Sequence, residues 1–253
     1  MISVCILTKN SARTLRETLE STRAFPEVLL LDNGSTDATL LIAQEFPNVK
    51  VHHSPFLGFG PLRNEAARLA AHDWILALDS DEVLSAPLIY ELLSLQFEPK
   101  SAYAIQRHNF YNGKWIKGCG WHPEKVFRLY HRGEGRYSEA KVHESLLLTH
   151  LTPRTLNAEI FHTPYRTTTD FLHKMQHYST LFAEEHKGKK SSFSKALFHG
   201  IFAFFKSYVL KGGLFLGKEG FLISLYNGNT TFYKYIKLWE LTCGRKSRDK
   251  ESL

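Results

Sequence analysis

At 253 residues, with 43% hydrophobic and 23% charged residues, the chain has the composition of a folded protein with a real core, not of a disordered one. Three scattered cysteines (Cys5, Cys119, Cys243), none in a C-x-x-C pair, indicate neither a disulfide framework nor a cysteine-rich zinc site, and a reducing compartment is expected. The net charge of +7 is unevenly placed: residues 1–165 carry −1 and residues 166–253 carry +8, so only the last third seeks an anionic surface.

The N-terminus, MISVCILTKN, enters a strand pattern at once and carries no signal-peptide pattern. Ser3–Leu7 reads as a buried strand. Residues 12–23 place Leu15 and Leu19 four apart among charges, a helix pattern. Val28–Leu31 is a second apolar strand that ends in Asp32-Asn33-Gly34-Ser35-Thr36-Asp37, where Asn-Gly turns the chain and Ser35 or Thr36 is placed to cap a helix through Ala43. Val49–His52 is a third strand. A glycine-containing loop then leads into a helix with Pro61 near its start.

The fourth strand lies in WILALDSDEVL, residues 74–84, and stops in Asp79-Ser80-Asp81-Glu82. Three carboxylates within four residues repel one another and resist desolvation, and a hard cation such as Mg²⁺ or Mn²⁺ would neutralise them. Taken alone, a D-x-D more often caps the following helix at an ordinary strand exit. Strand alternates with helix four times in about eighty residues, which predicts an α/β domain with a mainly parallel sheet flanked by helices. Such sheets bind ligands beyond the carboxyl ends of their strands. Those ends carry Thr8 and Asn10, Asp32 and Asn33, and Asp79 and Asp81, with Arg63 on the intervening helix. In a nucleotide reading, Asp32 accepts from a base imino N–H, Arg63 pairs with a phosphate, and Asp79 and Asp81 hold a metal bridging a diphosphate.

Residues 86–98 read as a helix. From Pro99 the texture turns aromatic and glycine-rich, with a hairpin signal at Asn112-Gly113 and an alternating strand at Val126–Tyr130. Trp115 and Trp121 suit either a wall that stacks on a sugar face or a small mixed sheet that buries them. The expected organisation is a nucleotide-binding half over 1–98, an aromatic mixed sheet over 99–165 and a helical appendage over 166–253.

The pieces ILTKN, LLDNGSTD, GxxRNEAA (Gly60–Ala67) and LALDSDE, in that order over residues 2–84, resemble the family 2 inverting glycosyltransferases of the GT-A fold, and VHESL (Val142–Leu146) fits one subgroup. The segments FHTPYRTTTDFLHKMQHYSTLFAEE (161–185) and FYKYIKLWEL (232–241) are similar to bacterial enzymes that add a sugar to the inner core of lipopolysaccharide, the WaaE/KdtX-like group; Lys218-Glu219-Gly220 departs from the more basic pattern expected there.

The resemblance implies a GT-A, Rossmann-like sheet with a C-terminal helical region, a nucleotide sugar donor (UDP-hexose favoured), a lipid-linked saccharide acceptor and a Mg or Mn cation. It implies Glu144 as the catalytic base, Asp81 as the direct metal ligand, Asp79 on the ribose or on the metal through water, and Glu82 orienting them. His162 resembles the late histidine that completes some metal sites, though a satisfied core histidine fits the sequence equally. Thr8, Asn10, Asp32 and Arg63 fall on the donor side, and Trp121 and His143 on the acceptor side. His173 and His177, four apart, have no third ligand nearby and are read as surface residues.

Residues 193–216, FSKALFHGIFAFFKSYVLKGGLFL, are rich in Phe and Leu but interrupted by Lys195, His199, Lys206 and Lys211. That excludes an uncharged eighteen-residue span and leaves two readings: an amphipathic helix in an anionic membrane interface, or a helix packed on the catalytic domain. The membrane reading implies a peripheral protein on the cytosolic face of the inner membrane. Two rivals use the same features: a Mg²⁺-dependent nucleotidyltransferase, and a basic nucleic-acid-binding protein. The second is disfavoured because the basic excess lies among aliphatic residues and phenylalanines, and the strand ends carry acids, so no nucleic-acid partner is expected.

Overall fold

The computed structural model describes residues 1–140 and 144–251, the side chains of residues 243–251 excepted. The chain divides into two compact units, Met1–His108 with Glu124–Thr163, and Asn109–Pro123 with the residues from Pro164 onward.

In the first unit β1 (Ile2–Thr8), β2 (Glu27–Asp32), β3 (Val49–His53) and β4 (Trp74–Asp79) form a parallel sheet in the order β3-β2-β1-β4. The order follows from burial. β1 and β2 are buried along nearly their whole length and lie inside, whereas β3, with alternating partly exposed residues, forms the edge. Helices α1 (Leu15–Ser21), α2 (Thr39–Ala43) and α3 (Phe59–Leu69) connect these strands. Leu15 and Leu19, the pair read as one helix face, are both fully buried, in a core shared with Val4, Ile6 and Leu30.

Beyond β4 the sheet continues with mostly antiparallel pairings. After β5 (Glu82–Leu84) and α4 (Ala86–Ser94) come β6 (Ser101–Tyr111), β7 (Lys114–Trp115), β8 (Lys125–His131) and β9 (Thr152–His162). β8 lies antiparallel beside β4, and the order continues β8-β6-β9-β5. This change of direction at β4 matters for function, because it brings side chains of β6 and β8 to the carboxyl end of β4.

Ser35 and Thr36 do not cap α2, whose N-cap is Ala38 without a side-chain hydrogen bond. The Ser35 hydroxyl instead donates to Asp32 Oδ1 at 2.5 Å, and Asp37 accepts from the Thr39 backbone N–H at 3.0 Å. Closing the loop after β2 on its own Asp competes successfully with helix capping.

In the second unit, Asn112-Gly113 forms the tight turn between β6 and β7, with φ of 51° and 70° as its sequence requires. Helix α5 (Thr168–Glu185) starts in a capping box between Thr167 and Asp170. Helix α6 (Phe193–Phe205) continues into a π-helical turn over Lys206–Leu210 and a 3₁₀ turn over Gly213–Leu216; α7 (Lys218–Glu251) follows. Gly200 on α6 and Gly228 on α7 set the helix spacing. A β-carbon at Gly200 would lie 2.9 Å from Phe232 Cβ, and one at Gly228 would lie 3.0 Å from Phe204 Cβ. The buried side of α6 is made of Ala196 and Gly200, which leaves Phe193, Phe198, Phe202 and Phe205 exposed while Phe204 packs toward α7.

Candidate active site

The parallel register sets Thr8 beside Asp32 and Leu7 beside Asp79, which gathers the polar strand ends along one edge of the sheet. Thr8 is buried, and its hydroxyl has no partner among the described residues. Asn10 sits at a φ of 52°, where Asn is among the tolerated residues, and its Oδ1 accepts from the Thr36 N–H at 2.8 Å. Asp32 is buried and accepts from the Gly34 N–H at 3.1 Å, from the Ser35 N–H and from the Ser35 hydroxyl. Burial is the largest influence on Asp32 and acts to raise it; the Ser35 and Gly34 hydrogen bonds and His53 outweigh it and hold the carboxyl below its usual value. Beside it lies a cleft of about 290 Å³ lined by Asp32, Asn33, Gly34, His53, Ser54 and Pro55.

At the end of β4 the acids separate into two environments. Asp79 is gripped by guanidinium groups: Oδ1 accepts from Arg63 Nη2 at 2.5 Å, Oδ2 accepts from Arg128 Nη2, and Arg107 Nη1 lies 3.8 Å from Oδ2. Burial pushes Asp79 up, but Arg128, Arg63 and Arg107 together hold it well below the usual carboxylate range. Glu82 is fully buried and anchors the same arginines, accepting from Arg128 at 2.7 Å and from Arg107 at 2.9 Å, while its Oε2 takes the Asp79 backbone N–H at 2.9 Å. Glu124 closes the other side of Arg107 with two hydrogen bonds.

Asp81 lies against His162, whose Nε2 is 3.4 Å from Oδ2. The turn between Asp79 and Asp81 is tied down at Ser80, whose hydroxyl meets that of Ser11 at 2.8 Å and whose carbonyl accepts from Thr18 Oγ1 at 3.1 Å.

Glu144 joins the site through Arg63, whose Nε donates to Glu144 Oε1 at 2.9 Å. Arg63 is buried, and its guanidinium carbon lies 5.2 Å from the centre of the Tyr137 ring. Tyr137 is held in turn by reciprocal bonds with Asn64, one turn along the same helix from Gly60.

The structure therefore brings Arg63, Asp79 and Glu144 into direct contact and pairs Asp81 with His162. Trp121 belongs to the second unit, where it is half-buried and stacks on Tyr165 at 5.6 Å, with Phe171 beyond. His143 lies outside the described residues. His173 and His177 lie on α5. Sequence reasoning missed Arg107 and Arg128. The signal was available: each is a lone cation within an apolar strand, in AIQRH and VFRLY, and a charge there must meet a buried acid.

A parallel sheet flanked by helices, continued by antiparallel strands and carrying an Asp-Ser-Asp turn at its carboxyl edge, is the GT-A arrangement. The mannosyltransferase PcManGT from Pyrobaculum calidifontis, solved in complex with GDP-Man and Mn²⁺, shares the fold with a TM-score of 0.53 at 14% identity, over 94% of this chain and 87% of that one. The chain belongs to glycosyl transferase family 2, whose family model matches residues 3–139.

Among its relatives, the lipopolysaccharide core biosynthesis glycosyltransferase LpsC of Rhizobium meliloti is 25% identical over 254 residues, spanning 94% of this chain and 92% of LpsC. An uncharacterised glycosyltransferase of Rickettsia bellii is 27% identical over 274 residues, spanning 99% of this chain and 90% of the relative.

Proposed function

We propose that this family 2 enzyme is an inverting hexosyltransferase that uses a nucleotide sugar, UDP-linked in preference, and a lipid-linked saccharide acceptor such as the lipopolysaccharide inner core. The observation that carries the reading is the convergence of Glu144 and Asp79 on Arg63 at the carboxyl edge of the sheet. Similarity to LpsC along nearly the whole chain supports the acceptor class.

The cleft at Asp32 takes the nucleoside, with Asp32 accepting from the base imino N–H and Thr8 and Asn10 shaping the strand ends beside it. Glu144 takes the proton of the acceptor hydroxyl as that oxygen attacks the anomeric carbon. The bond from that carbon to the diphosphate breaks in the same displacement, and the configuration inverts. His143 and Trp121 are assigned to the acceptor side.

Asp81 and His162 would hold a divalent cation such as Mg²⁺ or Mn²⁺: a carboxylate oxygen and an imidazole nitrogen lie 3.4 Å apart, and both are donors such ions accept. No group of three potential protein ligands gathers among the described residues. When bound, it supplies positive charge to the departing diphosphate.

The second part of the proposal is peripheral association with the cytosolic face of an anionic membrane through residues 193–216. No helix among the described residues is long and apolar enough to cross a membrane. Exposed Phe193, Leu197, Phe198, Ile201, Phe202 and Phe205 form one face of α6, an apolar stripe of the kind that marks an interaction surface. Lysines 195, 206 and 211 interrupt the stretch and suit anionic headgroups.

A panel of nucleotide sugars tests the enzymatic reading by thermal shift with and without Mn²⁺, followed by product analysis. A metal-dependent rise with one UDP-sugar and release of UDP are expected. Pyrophosphate release, or no response to any nucleotide, would overturn it.

A further inference from the structure

We infer that Asp79 serves this chain as an arginine anchor and not as a cation ligand, and that Arg63, held by Asp79, is the positioning residue that aims Glu144. The inference rests on the reading of Glu144 as the base.

A guanidinium is flat and rigid. Nε and Nη2 lie on one edge of a rigid plane, and that edge usually grips a single carboxylate with two parallel bonds. In Arg63 the edge is split: Nη2 binds Asp79 at 2.5 Å and Nε binds Glu144 at 2.9 Å. Because the fork is planar, fixing the Asp79 bond fixes the direction from which Nε reaches Glu144. The plane cannot swing away, since Arg63 is only 5% exposed and lies beside the Tyr137 ring. Its remaining nitrogen, Nη1, is buried and has no partner among the described residues.

Charge excludes the alternative role for Asp79. Its second oxygen is taken by Arg128, and Arg107 stands 3.8 Å away. A divalent cation on Asp79 would have to displace these bonds and sit beside three largely buried positive groups. Glu82, which accepts from both Arg107 and Arg128, keeps those groups in place. Asp81, pointing toward His162, offers the cation a position with an additional donor. The two aspartates of the motif therefore divide the work: one serves the cation, the other the base.

The test compares D79N, R63K, D81N and E144Q. Mn²⁺ binding in the presence of UDP is measured by electron paramagnetic resonance, and kcat, KM and the pH–rate profile by steady-state assay. D79N is expected to bind Mn²⁺ within about twofold of wild type, whereas D81N loses that binding by at least about tenfold. R63K, whose ammonium lacks a planar fork, is expected to lower kcat by about tenfold or more, to leave donor KM nearly unchanged and to move the acidic limb of the pH profile.

In the double variant R63K/E144Q, the R63K change should cost nothing beyond E144Q alone, because Arg63 acts through Glu144. Mn²⁺ affinity lost in D79N would overturn the anchor role. Wild-type kcat in R63K, or additive losses in the double variant, would overturn the positioning role, and these two outcomes hold even if D79N fails to fold. Full activity of E144Q would instead overturn the base assignment itself, which separates the failure of that reading from the failure of this one.

Discussion

A β-carbon built on Gly60 would lie 1.8 Å from the carbonyl oxygen of Ser138, far inside van der Waals contact. The Gly60 N–H also donates to Ala140 at 3.2 Å, so the start of α3 and the segment leading to Glu144 are in direct backbone contact. Here glycine is required by approach, not by φ. G60A is expected to push this segment away, at a cost of about 1–3 kcal/mol in stability and with a fall in kcat. Urea denaturation and steady-state kinetics measure the two effects; an unchanged kcat would show that the contact does not govern Glu144.

Glu82 is the structural acid of the arginine cluster. It is fully buried and binds two guanidinium groups and a backbone N–H. E82A strands those cations and is expected to cost about 3–5 kcal/mol, the range for breaking a buried ion pair. E82Q retains the shape and is expected to cost less. Chemical denaturation of both variants checks the order.

Glu27 gives the fold a pH dependence away from the active site. It is buried at the start of β2, where it accepts from Ser3 Oγ and the Ala71 N–H, each at 2.6 Å, and from Lys50 at 3.0 Å. Burial raises this carboxyl most, but those bonds together leave it below its usual value. The folded value is thus lower than the unfolded value of about 4.3. The resulting stabilisation is fully present above the unfolded value and is lost as pH falls through the folded one. Denaturation curves between pH 7 and pH 3 should fall less steeply for E27Q than for wild type. Equal slopes would remove Glu27 from the account.

The proposed membrane association through the exposed face of α6 is open to a direct test. Replacing Phe198, Phe202 and Phe205 together by Ser is expected to reduce flotation with anionic liposomes at high salt. Replacing Lys195, Lys206 and Lys211 by Gln is expected to reduce it at low salt only, because headgroup attraction is screened. The absence of wild-type binding at low salt would eliminate the membrane reading.

Buried thiols provide a check on packing. Cys5 is 4% exposed, and burial pushes its thiol up to about 12; burial likewise raises Cys119. In a C243S background, neither thiol should react with a maleimide at pH 7.5 until denaturant is added.

The sequence made the parallel half of the sheet legible because each of its strands is a short apolar run ending in turn residues. Ile2–Thr8, Glu27–Asp32 and Val49–His53 each fall within a residue or two of the expected ends. The Asn112-Gly113 hairpin was legible for the same reason, since only one turn type suits that pair. The partners of Asp79 were not. Three adjacent acids advertised a cation, and the cations that meet two of them are arginines from α3, β6 and β8, up to 49 positions away in sequence. Local pattern cannot register a pairing made by strand direction, and the antiparallel turn of the sheet at β4 created this one. Ser35 was misread for a different reason: a hydroxyl beside both a helix start and an aspartate has two acceptable uses, and only the closed loop reveals which it takes.

The glycine contact between α6 and α7 has a practical corollary. With Gly200 and Gly228 at the crossing, α6 cannot roll its exposed phenylalanines inward without driving side chains into the α7 backbone. The greasy face is a permanent fixture of the folded state, displayed even in plain buffer. Concentrated preparations should therefore self-associate or adsorb to surfaces, and mild detergent or lipid nanodiscs should restore monodispersity without altering the catalytic half.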